Sequence, residues 1–254
     1  MKAGSWLSAA LALGTLVACW HSLAAAPDGR GGALVTPAAV AAALAEGLGD
    51  GTLLRGLAAS LGRVALAFGF SIVAGTALGG LMAASWLAAA LLGPLVVGIQ
   101  SLPSICWLPV AVLWFGLNER AVLFVATMGS VPSIVVATRD GLLQIPLPYQ
   151  RVAATFGATP WQRMLLVQVP AAVPSFLAGL KQGWSFAWRS LLAGELLYRS
   201  TGAGSLLTDA RDLADYPRLF AVILVLMLVS VTVDRALFGA LEAKVRRLWE
   251  LAPR

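Results

Sequence analysis

Charged residues, cysteine and histidine are all scarce in this chain. Only 12% of its 254 residues are charged and 59% are hydrophobic, whereas soluble domains carry about a quarter charged residues. The two cysteines, Cys19 and Cys106, are too few for a disulfide framework and lie inside apolar stretches. The single histidine, His21, has no nearby metal-ligating cluster. The composition therefore argues against a soluble, disulfide-bonded or metal-centred domain.

Two further features narrow the possible functions. No Gly-x-x-x-x-Gly-Lys-Ser/Thr phosphate loop is present, so we expect no cofactor in this chain and assign any ATP and Mg²⁺ to a partner. The net charge of +6 comes from basic residues scattered between apolar stretches. Nucleic acid is therefore not an expected partner.

Long apolar runs account for most of the length. The mean hydropathy is +0.84, and a helix needs roughly 20 apolar residues to cross a bilayer. Six such runs fit the sequence: Trp6–Ala25, Leu61–Ser85, Trp86–Leu117, Ala121–Thr138, Ala172–Leu197 and Leu219–Phe238. We predict an all-α, polytopic membrane protein with about six transmembrane helices in the lipid bilayer.

The distribution of basic residues predicts the orientation. They lie between the fourth and fifth runs and at or beyond the end of the sixth: Arg139, Arg151, Arg163, Arg235, Lys244, Arg246 and Arg247. The positive-inside rule places both regions in the cytoplasm, and with six spans the N- and C-termini are cytoplasmic as well. We expect the chain to lie in the inner membrane of the cell. Residues 1–26 then form the first helix, 27–60 an external loop and 61–250 the transmembrane core. Thr36 and Pro37 predict the start of a short interfacial helix in that loop.

The N-terminus allows a second interpretation. Lys2, an apolar stretch and the sequence "LVAC" ending at Cys19 are also typical of a cleaved or lipidated signal, which would leave five spans. We favour a retained first helix, because one lysine is a weak signal and the rest of the chain suits an uncleaved anchor.

Prolines and small polar residues inside the third and fourth runs indicate irregular helices. Pro103, Pro109 and Pro132 each remove a backbone donor at membrane depth, which is tolerated in protein or beside a water-lined cavity. Nearby side chains suggest a translocation path: Gln100, Ser101, Ser104, Ser130 and Ser133. Kinked helices without a path remain the alternative. Ser71, Gly75 and Gly79 recur every four residues, which favours close packing within the molecule.

A polar insert, "YQRVAATFGATPWQRMLLVQVP", separates the fourth and fifth runs at residues 149–170. Gly157 is expected to end a short helix. A second helix is predicted to begin directly after Thr159, because Pro160 suits the first position and Gln162 completes a capping box. An amphipathic loop on the membrane surface is the alternative.

The insert resembles the "EAA" loop of ATP-binding-cassette (ABC) importer permeases: Glu-Ala-Ala, three residues, Gly, nine residues, Ile, one residue, Leu-Pro. Ala153, Gly157 and Pro170 match, and Val167 and Val169 are conservative replacements. Arg151 stands where the family has glutamate, and Val152 replaces the first alanine. Several further segments resemble the branch of this family that imports nitrate, sulfonate, taurine and bicarbonate. They are "SLGRV", "LPSICWLPVAVLWFGL", "PAAVPSFLAGLK", "AGELL", "TGAGSLL" and "ALEAKVRRLWE".

This resemblance, over roughly Pro37 to Glu250, implies the type I ABC importer permease fold. It also implies ABC ATPase subunits inside, a solute-binding protein outside, and a second permease copy that makes a homodimer around a central path. The insert would be the coupling helix that docks on the ATPase. Its expected docking residues are Arg151, Ala153, Phe156, Gly157, Ala158, Thr159, Trp161 and Gln162.

The fifth run carries charges inside the membrane. Lys181, Ser185 and Arg189 are four residues apart and share one helical face. Intramembrane charges usually face a cavity or a partner. We therefore add Lys181, Ser185, Arg189 and Glu195 to the predicted path as anion-attracting or polar groups. The alternative is that Arg189 pairs with a carboxylate and only holds the packing.

The preferred function is a permease subunit for a small anion of the sulfonate/taurine, nitrate or bicarbonate class, and not an enzyme. Within the same class, a thiamine-precursor-like compound is the second choice. An integral membrane enzyme would need a convergent catalytic set, but Glu195 is the only carboxylate well inside the later spans. A lipid-anchored structural protein is the third hypothesis.

Overall fold

The computed structural model describes residues 14–15, 17–22, 24, 35–145, 147–198 and 200–248. Within these ranges the chain is almost wholly helical and contains no β-strand, which confirms the all-α prediction. The predicted first span, Trp6–Ala25, lies mostly outside the described residues. A retained first helix therefore stays a prediction.

From residue 35 onward, the described ranges contain eleven α-helices in chain order: α1 (Pro37–Gly49), α2 (Thr52–Ala84), α3 (Trp86–Ser101), α4 (Leu108–Phe115), α5 (Glu119–Leu143), α6 (Leu147–Thr155), α7 (Pro160–Arg163), α8 (Val169–Leu197), α9 (Ala203–Asp212), α10 (Tyr216–Val233) and α11 (Gly239–Leu248). A 3₁₀ turn, Ser104–Trp107, precedes α4. Two π-helical turns, Met164–Gln168 and Asp234–Phe238, join α7 to α8 and α10 to α11.

Four continuous helical runs in the described residues are long and apolar enough to cross a membrane: Thr52–Ala84, Glu119–Leu143, Pro160–Leu197 and Tyr216–Arg247. A fifth span can be formed by Trp86–Ser101 and Ser104–Phe115, which meet at an angle of 105°. These five correspond to the second to sixth predicted runs.

The three prolines identified in the third and fourth runs, Pro103, Pro109 and Pro132, affect their helices differently. The third run breaks at Leu102 and Pro103, as predicted. Pro109 lies in the first turn of α4, where its missing N–H costs no helical hydrogen bond. The expected break at Pro132 is wrong, because α5 continues through this buried residue. Pro132 is buried against the neighbouring helices, where a lost backbone hydrogen bond is tolerated.

Helix α5 lies at the centre of the bundle, between α2 and α8. A Cβ added at Gly75 would lie 2.7 Å from the Ile134 Cβ, and one at Gly79 would lie 2.6 Å from the Val135 carbonyl oxygen. On the other side, Gly179 of α8 lies against Ala137. The small-residue face of α2 therefore packs inside the molecule, which confirms that prediction.

Another part of the same three helices contributes to the main apolar core. Its buried members include Val64 and Ala67 from α2, Val122 and Ala126 from α5, and Ala187, Trp188 and Leu191 from α8. Helix α1 packs beside this core, and the Thr36 hydroxyl accepts a hydrogen bond from the Ala39 N–H at 3.3 Å. Pro37 occupies its first turn, so the predicted start of α1 is confirmed.

Candidate functional site

A pocket of about 430 Å³ opens where α3 bends toward α4. Four of the nine residues predicted for the path line it together: Gln100, Ser101, Ser104 and Arg189. They come from the end of α3, the 3₁₀ turn and α8, so the bend brings distant parts of the chain together. The sequence did not indicate several other lining residues: Met128, Gly129, Phe186, Ser190 and Ala193.

Arg189 gives this pocket its charge. Its Nε donates a hydrogen bond to the Ser185 carbonyl oxygen at 3.1 Å, and its Cζ lies 4.8 Å from the centre of the Phe186 ring. Within the described ranges, no carboxylate forms an ion pair with Arg189. The side chain is exposed in the single chain, so its remaining N–H groups are available to an anionic ligand.

Two serine hydroxyls form the polar wall next to Arg189. Ser190 is 2% exposed. Its hydroxyl lies 2.6 Å from the Ser104 hydroxyl oxygen and 2.7 Å from the Phe186 carbonyl oxygen. Gly129 faces this pair from α5, and a Cβ added there would overlap the Ser190 hydroxyl. The pocket therefore combines one cationic group with hydroxyl groups that can donate hydrogen bonds.

The other five predicted path residues lie outside this pocket. Lys181 pairs with Asp234 at 3.1 Å and with Glu242 at 3.4 Å, because this part of α8 packs against the π-helical turn Asp234–Phe238 and α11. Ser185 is exposed one turn before Arg189, whereas Ser130 and Ser133 are buried in α5. Their part in a path stays a prediction.

Glu195 is the last of these residues, and it is 1% exposed. Its two carboxylate oxygens accept hydrogen bonds from the Ser60 hydroxyl at 2.9 and 2.7 Å, and one accepts from Arg63 Nη1 at 2.8 Å. The Gly204 N–H donates to the other at 3.0 Å. Arg63 also binds Glu119 at 2.6 Å. Glu195 thus joins α2, α8 and α9 through a buried ionic network.

The loop between α5 and α8 has the predicted helix–glycine–helix geometry. Helix α6 ends at Thr155, and Gly157 has a φ of 74°. The Thr159 hydroxyl accepts from the Gln162 N–H at 3.3 Å, and the Gln162 side-chain oxygen accepts from the Thr159 N–H at 2.9 Å. The predicted capping box is confirmed.

The same loop presents two aromatic side chains on its surface. Phe156 is 87% exposed and Trp161 is 64% exposed. Arg151 is exposed on α6, while Ala153 and Ala158 are half-buried and joined by a backbone hydrogen bond of 3.1 Å. Exposed aromatic residues on a rigid, capped turn are typical anchors of a protein interface.

The comparisons with known proteins agree with these features. The family described as "Binding-protein-dependent transport system inner membrane component" matches residues 72–247. The chain belongs to this family. It is 30% identical to the nitrate import permease protein NrtB of Leptolyngbya laminosa over 78% of this chain and 71% of that protein. It is 27% identical to the taurine transport system permease protein TauC of Escherichia coli, over 76% and 70% of the two chains.

A solved structure has the same fold. The MetNI methionine ABC transporter in an inward-facing conformation gives a TM-score of 0.67 at 20% identity, over 76% of this chain and 96% of that one. The family and the fold establish this permease as a multi-pass membrane subunit of an ABC importer. The predicted family and fold class are therefore confirmed.

Proposed function

We propose that this permease conducts a small anion of the sulfonate/taurine, nitrate or bicarbonate class across the inner membrane. A solute-binding protein delivers the anion outside, and partner ATPase subunits that bind ATP and Mg²⁺ drive the cycle from the cytoplasm. The observation that carries the proposal is Arg189, which lies in a polar pocket between α3 and α8 and pairs with no carboxylate among the residues that the structure describes.

Electrostatics favours an anion at this position. Arg189 lies eight residues before the end of α8, so it is roughly 12 Å along the helix from that end. A guanidinium at this depth is costly unless it faces a cavity or a partner. Its planar fork can bind two oxygens of a carboxylate-like or sulfonate-like group. The transported anion would supply the missing partner for part of each cycle.

Helix continuity supplies a mechanical connection from the loop to the pocket. The helical run Pro160–Leu197 is 38 residues long, so Trp161 and Arg189 are carried by one continuous run. They are 28 positions apart, which corresponds to roughly 42 Å along that run. An ATPase that binds Phe156 and Trp161 and moves the loop would therefore move α8 and the wall of the pocket.

The proposed assembly contains two copies of the permease, two ATPase subunits and one binding protein. In this arrangement residues 149–170 and both termini are cytoplasmic, as the basic residues predict. The pocket would then open toward the path between the two copies. Arg151, in place of the usual glutamate, is proposed to contact an acidic group on the ATPase surface.

Reconstituted transport tests the substrate class. The permease, its ATPase and its binding protein are placed in proteoliposomes, and the ATP-dependent uptake of nitrate, bicarbonate, taurine and a cationic thiamine precursor is measured. The proposal predicts uptake of at least one anion, which requires both ATP and the binding protein. Uptake of the thiamine precursor with no uptake of any anion would contradict it.

A further inference from the structure

We propose that Ser190 is a positioning residue that orients the Ser104 hydroxyl as a hydrogen-bond donor into the pocket. Gly129 leaves the space that this pair requires. The inference rests on the proposed anion transport. Together with Arg189, this relay of two hydroxyl groups, Ser190 acting through Ser104, recognises the oxygen atoms of the anion. The class of ligand is an oxyanion that can accept hydrogen bonds from more than one donor.

The argument begins with a count of protons. A serine hydroxyl has one proton to donate and two lone pairs that accept. The Ser190 hydroxyl lies within donating distance of two acceptors, Ser104 Oγ at 2.6 Å and the Phe186 carbonyl oxygen at 2.7 Å. One proton cannot make both bonds fully, so the pair has two arrangements.

The two arrangements differ in what Ser104 can do. When Ser190 donates to Phe186, the Ser104 proton points to Ser190 and both protons are used inside the wall. When Ser190 donates to Ser104, the Ser104 proton is free for an acceptor in the pocket that Ser104 lines. An anion favours the second arrangement, because a donor that itself accepts a hydrogen bond is polarised and donates more strongly.

Gly129 makes the relay possible. A Cβ at this position would overlap the Ser190 hydroxyl and lie 3.3 Å from the Ser104 Cβ. Both elements are firmly held, since Ser190 is buried on α8 and Gly129 lies within the central helix α5. Even an alanine would therefore turn Ser190 away and break its contact with Ser104.

The relay is tested by uptake kinetics with nitrate, bicarbonate or taurine, whichever the unaltered permease transports. Ser104→Ala should raise KM about tenfold or more with little change in the maximal rate, because a donor to a charged ligand is lost. Ser104→Thr keeps the hydroxyl and should hold KM within about twofold. Ser190→Ala should raise KM about threefold, since it acts only through Ser104.

The double variant distinguishes a relay from independent packing effects. Ser104→Ala with Ser190→Ala should match Ser104→Ala alone, because the second change removes a donor whose acceptor is already absent. Gly129→Ala should resemble Ser190→Ala. Two controls should keep the original KM: Thr127→Val, whose hydroxyl binds only the Leu123 carbonyl of its own helix, and Gly69→Ala, where a Cβ meets nothing within 4 Å.

The outcomes separate this inference from the proposed function. If Ser104→Ala leaves KM unchanged, or if the two serine changes act additively, the relay is overturned, although anion uptake and the role of Arg189 stand. If the unaltered permease takes up none of nitrate, bicarbonate and taurine, the relay and this choice of substrate both fail. Variants with less assembled protein but the original KM would also overturn it.

Discussion

Glu195 is nearly inaccessible to solvent, yet it is satisfied by a hydroxyl, a guanidinium and a backbone N–H. Removing one partner of a buried ion pair costs about 3–5 kcal/mol, whereas an exposed pair contributes roughly 1 kcal/mol or less. We expect Glu195→Gln to lower the thermal unfolding temperature of the detergent-purified permease much more than Glu119→Gln, whose carboxylate is 58% exposed. Equal shifts for the two variants would show that the Glu195 network does not hold the bundle together.

The chemistry of a single side chain predicts what kind of surroundings it needs, but not which residues provide them. The cost of an intramembrane charge left two possibilities for Arg189, a cavity or a carboxylate partner, and the side chain lines a pocket. The same argument applied to Glu195, whose partner Arg63 is 132 positions earlier in the chain. Local spacing carries no information about such a pairing. Arg63 was visible in the "SLGRV" segment, but nothing there indicated which carboxylate it binds.

The turn between α6 and α7 depends on one backbone conformation. Gly157 has a φ of 74° and open space around its Cβ position, so conformation and not volume limits substitution. A residue with a Cβ in this region costs roughly 1–2 kcal/mol, and asparagine tolerates it better than a β-branched residue does. Gly157→Val should uncouple ATP hydrolysis from uptake, while Gly157→Asn should retain most of the coupling.

The ratio of solute transported to ATP hydrolysed, measured in proteoliposomes, decides between these expectations. Co-purification with the ATPase shows whether docking itself is lost. Wild-type coupling in Gly157→Val would mean that this turn does not transmit the motion of the ATPase.

Close contact between α2 and α5 depends on residues without a side chain. A Cβ at Gly79 would lie 2.6 Å from the Val135 carbonyl oxygen, whereas one at Gly80 meets nothing within 4 Å. Gly79→Ala should therefore destabilise the bundle by about 1–3 kcal/mol through overpacking, and Gly80→Ala should not. Thermal unfolding of the two purified variants compares them directly, and similar stability would contradict the packing described for these helices.

Sequence patterns predicted most elements but not how prolines act in them. Capping residues identified the starts of α1 and α7, because those hydrogen bonds are local. Pro103 and Pro132 both lie inside apolar runs, yet only the first interrupts its helix. Pro132 lies in a helix enclosed by α2 and α8, whereas Pro103 lies at an exposed helix end. Pro94 is exposed as well, yet α3 continues through it, so neither a proline nor its exposure alone predicts a break.

The orientation of the whole molecule is tested by chemical labelling. In a background without Cys19 and Cys106, Glu46→Cys on α1 should react with a membrane-impermeant thiol reagent added outside intact cells. Gln144→Cys, just after α5, should react only after the membrane is permeabilised. Both side chains are exposed, so accessibility alone does not separate them. The reverse pattern would contradict cytoplasmic placement of the loop at residues 149–170.

Uptake per assembled complex in an Arg189 variant is the most direct test of the central claim that Arg189 binds the passing anion. Arg189→Gln keeps hydrogen-bond donors but removes the charge, so anion uptake should fall about tenfold or more while assembly and basal ATP hydrolysis persist. Arg189→Lys should retain part of the uptake. Arg120→Gln removes an exposed charge outside the pocket and should have no effect. If Arg189→Gln lowers only the amount of complex and each complex transports at the wild-type rate, the account is contradicted.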